Sequence, residues 1–176
     1  MRSIYKIVVC SLLTLSITSC EKDLLEKEQY QKEIYLIGAY NRVWTTEVSY
    51  SNEEVKTYFT VSSSGTLALD RDVNVKMKIN EELVDIYNKK YWTVLNEDKY
   101  YKSLDTDLYS IPSLENTVIK HAEGISTEVP VLIKTASLKI DQSYVIPVEI
   151  ESTTGYPVST SGYKMLVLLK LKNEYS

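Results

Sequence analysis

The sequence predicts an all-β protein, an antiparallel β-sandwich carrying one short helix over about 81–90. Three observations carry this. Short runs of alternating apolar and polar residues recur along the chain with turn signals between them, which is the spacing of a sandwich. Helical spacing is confined to one stretch after Asn80. Aromatic usage is skewed, with 15 Tyr against a single Phe and two Trp. That bias suits strands with wet edges, because the Tyr ring packs while its hydroxyl stays hydrated.

Glu33 to Tyr40 (EIYLIGAY) reads as the first strand, closed by a weakly patterned stretch around Asn41. Val55 to Val61 is the next, with Val55, Thr57, Phe59 and Val61 on one side, and Ser62-Ser63-Ser64-Gly65 is a loop signal. Asp72 to Ile79 alternates most cleanly, with Val73, Val75, Met77 and Ile79 toward a core and Asp72, Asn74, Lys76 and Lys78 toward water. Asn80 then offers an N-cap, and Glu81 and Glu82 occupy the first turn, where carboxylates suit the helix dipole. Leu83, Ile86 and Tyr87 follow at helical spacing, and Lys89 and Lys90 close the segment. A helix this short is marginal alone, so it must pack across the end or flank of the sandwich. Asn96 to Tyr109 is a polar, Tyr-studded connection with room for one helical turn, ended by Ile111-Pro112.

The second half is strand after strand. Thr117 to His121 precedes a turn at Glu123-Gly124, and Ser126 to Lys134 points Val129, Val131 and Ile133 inward. Leu138 to Asp141 is a loop. Tyr144 to Ile150 places Tyr144, Ile146, Val148 and Ile150 on one face; Pro147 cannot donate to a ladder, so its amide side belongs at an edge or a bulge. Thr153 to Pro157 is a connection, and Tyr163 to Lys172 ends the domain, its apolar middle from Met165 to Leu169 predicting burial on both faces.

Upstream, Arg2 and Lys6 form a short basic region, and Ile7 to Ile17 is an apolar run of roughly ten residues. That is too short to span a ~30 Å hydrocarbon layer and fits a secretory leader. It ends in Ile17-Thr18-Ser19-Cys20, which resembles the lipobox of bacterial lipoproteins, in a looser form familiar in Bacteroides-type lipoproteins. The expected organisation is a signal peptide over 1–19, an acylated Cys20 with a flexible acidic tether over 20–32, and one β-sandwich domain over 33–174. A cleaved leader with an incidental Cys is the alternative. Two or more acyl chains, at about 0.8 kcal/mol per buried CH₂, hold a protein stably where one does not. The acidic cluster after Cys20 also resembles the surface-export signal of the same lipoproteins; a plain solvated linker is the other reading. Localisation is thus expected at the outer membrane, lipid-anchored and exposed on the cell surface. Cys10 would leave with the leader, so the mature domain has neither a disulfide nor a Cys pair for a metal.

The run VNVKMKINEELVDIYNKK (Val73 to Lys90), Tyr100-Tyr101, Ser110-Ile111-Pro112, Gly124 before a strand, and Tyr144-Val145-Ile146-Pro147-Val148-Glu149-Ile150 together resemble the N-terminal domain of uncharacterised Bacteroides-type surface lipoproteins. The type member of that family carries this domain ahead of an endo-β-N-acetylglucosaminidase. The likeness runs from about Ile34 to Lys172, weakest before Tyr58. It implies an Ig-like sandwich with no catalytic residues of its own, usually placed ahead of a glycosidase, a lectin-like module or another sandwich. The sequence departs from that pattern by ending at Ser176, so a spacer role is not expected.

The charge balance is −4. Removing Arg2 and Lys6 with the leader makes it more acidic, and with no basic cluster this argues against nucleic acid. His121 is the only His, alternating with Ile119 on a predicted strand, so a Ser-His-Asp unit would rest on it alone. There is no Gly-rich phosphate loop and no His-Glu-x-x-His or Cys/His metal spacing. Glu53-Glu54, Asp70 with Asp72, and Asp105 with Asp107 read as solvated turn carboxylates rather than a glycosidase pair, and Asp105-Thr106-Asp107 lacks the rest of a Ca²⁺ ligand set. Neither a catalytic residue nor a cofactor is expected. Sugar rings stack on exposed aromatics, and Tyr91, Trp92, Tyr100, Tyr101 and Tyr109 lie in or beside the least regular part of the chain, where binding residues concentrate. The alternative is that these aromatics, and Trp44, pack over the helix and the sandwich end. Two functions follow: an accessory glycan-binding lipoprotein of a polysaccharide-utilisation system, or a structural module whose strand edges pair with a surface protein. Glycan hydrolysis is a distant third.

Overall fold

In the computed structural model, residues 27–92 and 94–172 are described; the leader expected over 1–19 and the acylation expected at Cys20 fall outside them. Among the described residues the strands run β1 (Ile34–Leu36), β2 (Val43–Ser49), β3 (Glu54–Ser63), β4 (Val73–Ile79), β5 (Lys102–Ser103), β6 (Tyr109–Ser110), β7 (Thr117–Ile119), β8 (Ser126–Lys134), β9 (Tyr144–Thr153) and β10 (Lys164–Lys172). One α-helix, α1 (Glu82–Tyr91), joins β4 to β5 through a 3-10 turn over Val94–Lys99. The strands form one sheet in the order β1-β3-β8-β6 and a second in the order β2-β10-β9-β4-β7, with β5 continuing the β4 side of β9. Period-2 patterning decides which side chains meet between them. Phe59, Val61, Val129, Val131 and Ile133 from the first sheet face Val73, Val75, Met77, Ile146, Val148, Met165 and Val167 from the second, all buried. This is the all-β sandwich the sequence predicts.

The first strand is shorter than Glu33–Tyr40. After Leu36 the chain turns through Gly38, at φ +88, and a 3-10 turn over Ala39–Asn41, then crosses to the other sheet as β2. Only glycine fits here, since a Cβ on Gly38 would lie 2.7 Å from Trp44 Cε3 in a backbone region that L residues avoid. β2 is not among the strands the sequence predicts. Its inward positions are Trp44, Thr46 and Val48, and a threonine in that row hides the alternation; the Thr46 hydroxyl is instead hydrogen-bonded to Thr57 Oγ1.

β2 runs parallel to β10, Trp44 opposite Val167, and β5 runs parallel to β9. The sandwich is therefore not wholly antiparallel. Ser62 and Ser63, read as loop, are buried strand residues because β1 pairs with them. Pro147 sits in a central strand rather than at an edge. Its carbonyl accepts from Asn80 N at 3.0 Å, so its missing N–H falls on the flank where β5 has ended and β4 begins.

Residues 27–32 also depart from the expected free tether. Glu28 accepts from Thr66 N at 2.6 Å and Thr66 Oγ1 at 2.8 Å, Ser64 N donates to Glu33 O and Glu33 N donates to Ser64 Oγ, both at 2.9 Å, so this strip lies along the β3–β4 loop.

α1 packs on the outer face of the second sheet. Leu83 and Val84 are buried against Val145 and Leu166, with Val43, Tyr87, Tyr101 and Leu168 around them. Burial on both faces, predicted for Met165 to Leu169, is thereby met by a sheet on one side and a helix on the other. Asn80 caps the helix as expected, its Oδ1 accepting from Glu82 N at 3.2 Å. The buried row differs from Leu83–Ile86–Tyr87: Val84 and Asn88 turn inward, and Ile86 stays 52% exposed. That exposed residue borders the site below.

Candidate functional site

Two adjoining surfaces of α1 share Tyr87. On one, Tyr87 is central. Its ring stacks on Tyr101, centroids 5.2 Å apart and planes 11° from parallel, and meets Tyr91 at 4.5 Å and 35°. Asn88 builds this arrangement. Buried behind the helix, it donates from Nδ2 to Tyr101 O at 2.9 Å and accepts from Tyr101 N at 3.0 Å, stitching the returning chain to α1. Desolvation and the neighbouring phenols push the Tyr87 hydroxyl up to about 12.

The structure thus brings Tyr91 and Tyr101 together through Tyr87, which the sequence reading had treated as a packing residue. Tyr91 is 47% exposed, and Lys90 Nζ lies 5.4 Å from its ring centroid. Trp92 is half-buried with Lys99 Nζ 5.7 Å from its ring, and its indole N–H is buried without a hydrogen-bond partner among the described residues. Tyr100 is half-buried at the end of the 3-10 turn. Tyr109 does not join them. It lies on β6 in the other sheet and packs on the inter-sheet core with its hydroxyl buried; that burial, with the nearby charge of Glu81, pushes the phenol up to about 12. For this residue the packing account holds, because the short β6 turns its ring inward. Trp44 also packs against the inter-sheet core.

Beside this cluster, along α1, opens a cleft of about 380 Å³. Its floor is Leu83 and Leu166, and three rings border it, Tyr87 from the helix, Tyr163 before β10 and Tyr40 from the 3-10 turn. Tyr40 is 91% exposed. Thr160 and Ser161 add hydroxyls, and Arg42 and Lys164 add the only charges among the described lining residues. The volume is at the lower end of the roughly 300–1,000 Å³ of small-molecule sites, and an apolar floor with a few convergent polar groups is their usual makeup. The sequence reading missed this site because its walls come from three distant segments. The local signal was a Tyr just past Gly38 and a Thr-Ser-Gly-Tyr turn, neither periodic.

The remaining candidates for chemistry are dispersed. His121 is exposed, its Nδ1 2.6 Å from Asp72 Oδ1, and this contact holds the Asp72 carboxyl below its ordinary range. Asp105 and Asp107 are exposed, and among the described residues no three His, Cys, Asp or Glu side chains group closely enough to hold a metal ion.

A family model described as an N-terminal domain matches residues 30–157, well over half of the chain. The chain belongs to this N-terminal-domain family. No curated protein matches it. Among solved structures, a protein of unknown function from Bacteroides ovatus superposes with a TM-score of 0.65 at 18% identity, over 84% of this chain and 48% of that one. A protein from the same species described as a "putative carbohydrate binding protein" gives 0.60 at 18%, over 78% and 36%. EndoBT-3987 of Bacteroides thetaiotamicron, solved with Man5GlcNAc product, gives 0.56 at 18%, over 78% and 30%. At this identity the likenesses establish the fold. The family member described here spans less than half of each of these chains.

Proposed function

We propose that this domain is a non-catalytic, lipid-anchored module that binds glycans at the cell surface, held to the outer membrane through Cys20. The observation that carries the reading is the cleft beside α1. It offers sugar rings three tyrosines and two hydroxyls around an apolar floor, and no carboxylate pair lines it. Support also comes from the carbohydrate-related descriptions of two structural neighbours. Tyr91 and Tyr101 contribute by bracing Tyr87 rather than by contacting a glycan directly. Affinity electrophoresis of the protein against a polysaccharide panel tests this. At least one glycan should retard it, and Tyr40→Ala should relieve the retardation while Trp92→Ala should not. No retardation by any polysaccharide overturns the reading. For the anchor, palmitate labelling should be lost in Cys20→Ser, and a bare thiol on the wild-type protein would count against it.

The assembly reading draws on one observation, that β2 is a seven-residue strand at the edge of its sheet. That edge is partly shut. The Thr46–Thr57 hydroxyl pair and the Tyr50 hydroxyl, donating to Ala136 O at 2.7 Å, tie it to the opposite layer. Glycan binding is the better-supported function.

A further inference from the structure

We propose that the cleft selects acidic saccharides, sugars carrying carboxylate or sulfate groups, through Arg42 and Lys164. The inference rests on the glycan-binding reading and narrows it. Two observations point to it independently.

The first is charge. The chain as a whole is acidic, at −4, yet among the described residues the cleft's only charged lining residues are two cations. Neither forms an ion pair among the described residues. Lys164 lies directly opposite Glu149 in the β9–β10 register, but Glu149 is taken by Asn80 Nδ2 at 2.6 Å and Lys78 Nζ at 3.6 Å. Lys164 Nζ instead rests 4.8 Å from the centroid of the Tyr163 ring, outside ion-pair distance of any described carboxylate. The helix itself carries Glu82 and Asp85 against Lys89 and Lys90, so its own charges balance.

The second is backbone. Arg42 is the only non-glycine residue with positive φ among those described, at +64, and it sits where the crossing chain enters β2. Its N–H donates to Ala39 O and its carbonyl accepts from Leu166 N, both at 2.8 Å, so the backbone bonds need no arginine side chain. Glycine or asparagine would adopt this conformation with less strain. A strained arginine at the mouth of a cleft is the pattern of a residue retained for what its side chain does. A planar guanidinium matches a carboxylate or sulfate with paired donors, and Lys164 adds a second point charge beside it.

The test is isothermal titration of the full protein at low and moderate salt with oligogalacturonate, a carrageenan oligosaccharide, a neutral xylo-oligosaccharide and sodium sulfate alone. An acidic oligosaccharide should bind tightest and weaken with salt. Arg42→Gly and Lys164→Gln should each cost roughly tenfold in its affinity. Arg42→Gly should fold with an unchanged or higher melting temperature, and Arg42→Asn serves as a second variant that tolerates the left-handed backbone. The carboxylate and sulfate arms identify which anion is preferred. Binding of the neutral oligosaccharide as tightly as the acidic ones overturns this inference and leaves glycan binding standing, whereas binding of none overturns both. Sodium sulfate binding as tightly as the sulfated sugar, or full affinity in Arg42→Gly, also overturns it.

Discussion

The β9–β10 pair is buried on both faces by different partners. Inward, Ile146, Val148, Met165 and Val167 meet the other sheet in a continuous apolar layer. Outward, Val145 and Leu166 meet only Leu83 and Val84 of one short helix, ringed by half-buried tyrosines and the buried amide of Asn88. The inner layer is redundant and apolar, so it holds the fold and presents nothing to a ligand. The outer layer is thin and partly polar, with α1 leaving a cleft along its margin. On the glycan-binding reading, stability and recognition are divided between the two sides of the same strands.

That division can be broken by mutation. Phe59→Ala, deep in the inner layer, should cost about 3–5 kcal/mol, read from the urea midpoint. A loss as small as that expected from the helix layer would erase the contrast. Asn88→Ala should cost about 1–3 kcal/mol, because it strands the Tyr101 N–H and C=O beneath the helix. It should also raise hydrogen exchange at the Tyr101 amide more than at Val131 in β8. Equal acceleration at both sites would mean that the two layers melt as one.

The smallest effect is expected from a third region, the strip at residues 27–33. Glu28 is held at about 2 rather than 4.5, first by the Lys32 ammonium and then by the Thr66 N–H. A carboxyl lowered in the folded state contributes stability that is present above its ordinary value. That contribution is lost as pH falls from about 4.5 through about 2. Over that window the strip should release from the β3–β4 loop, seen as faster exchange at the Thr66 and Gln29 amides while β8 stays protected. Glu28→Gln should abolish the pH dependence, and an unchanged profile in that variant would remove Glu28 as its cause.

Much of the inner layer was legible because period 2 is a local property. Val73–Ile79 and Ser126–Lys134 each announce which side chains share a face, and the structure places them there. The helix too was legible, with Asn80 as its cap. β2 was not, because its inward row includes Thr46, whose polarity is satisfied by Thr57 from another strand. Tyr109 was grouped with the surface aromatics for a similar reason, since nothing in its neighbours reveals that β6 turns its ring toward the core.

By itself the sequence determined an all-β class, one helix, the inward rows of several strands and an acidic chain. The tertiary structure alone decided that α1 covers the outer face of β9–β10 and that Tyr40, Arg42, Tyr87, Thr160 and Tyr163 line one cleft. The reason is physical. Alternation and capping are written among neighbours a few residues apart, whereas a cleft walled by three segments exists only once the chain has crossed between sheets and folded a helix back over one of them.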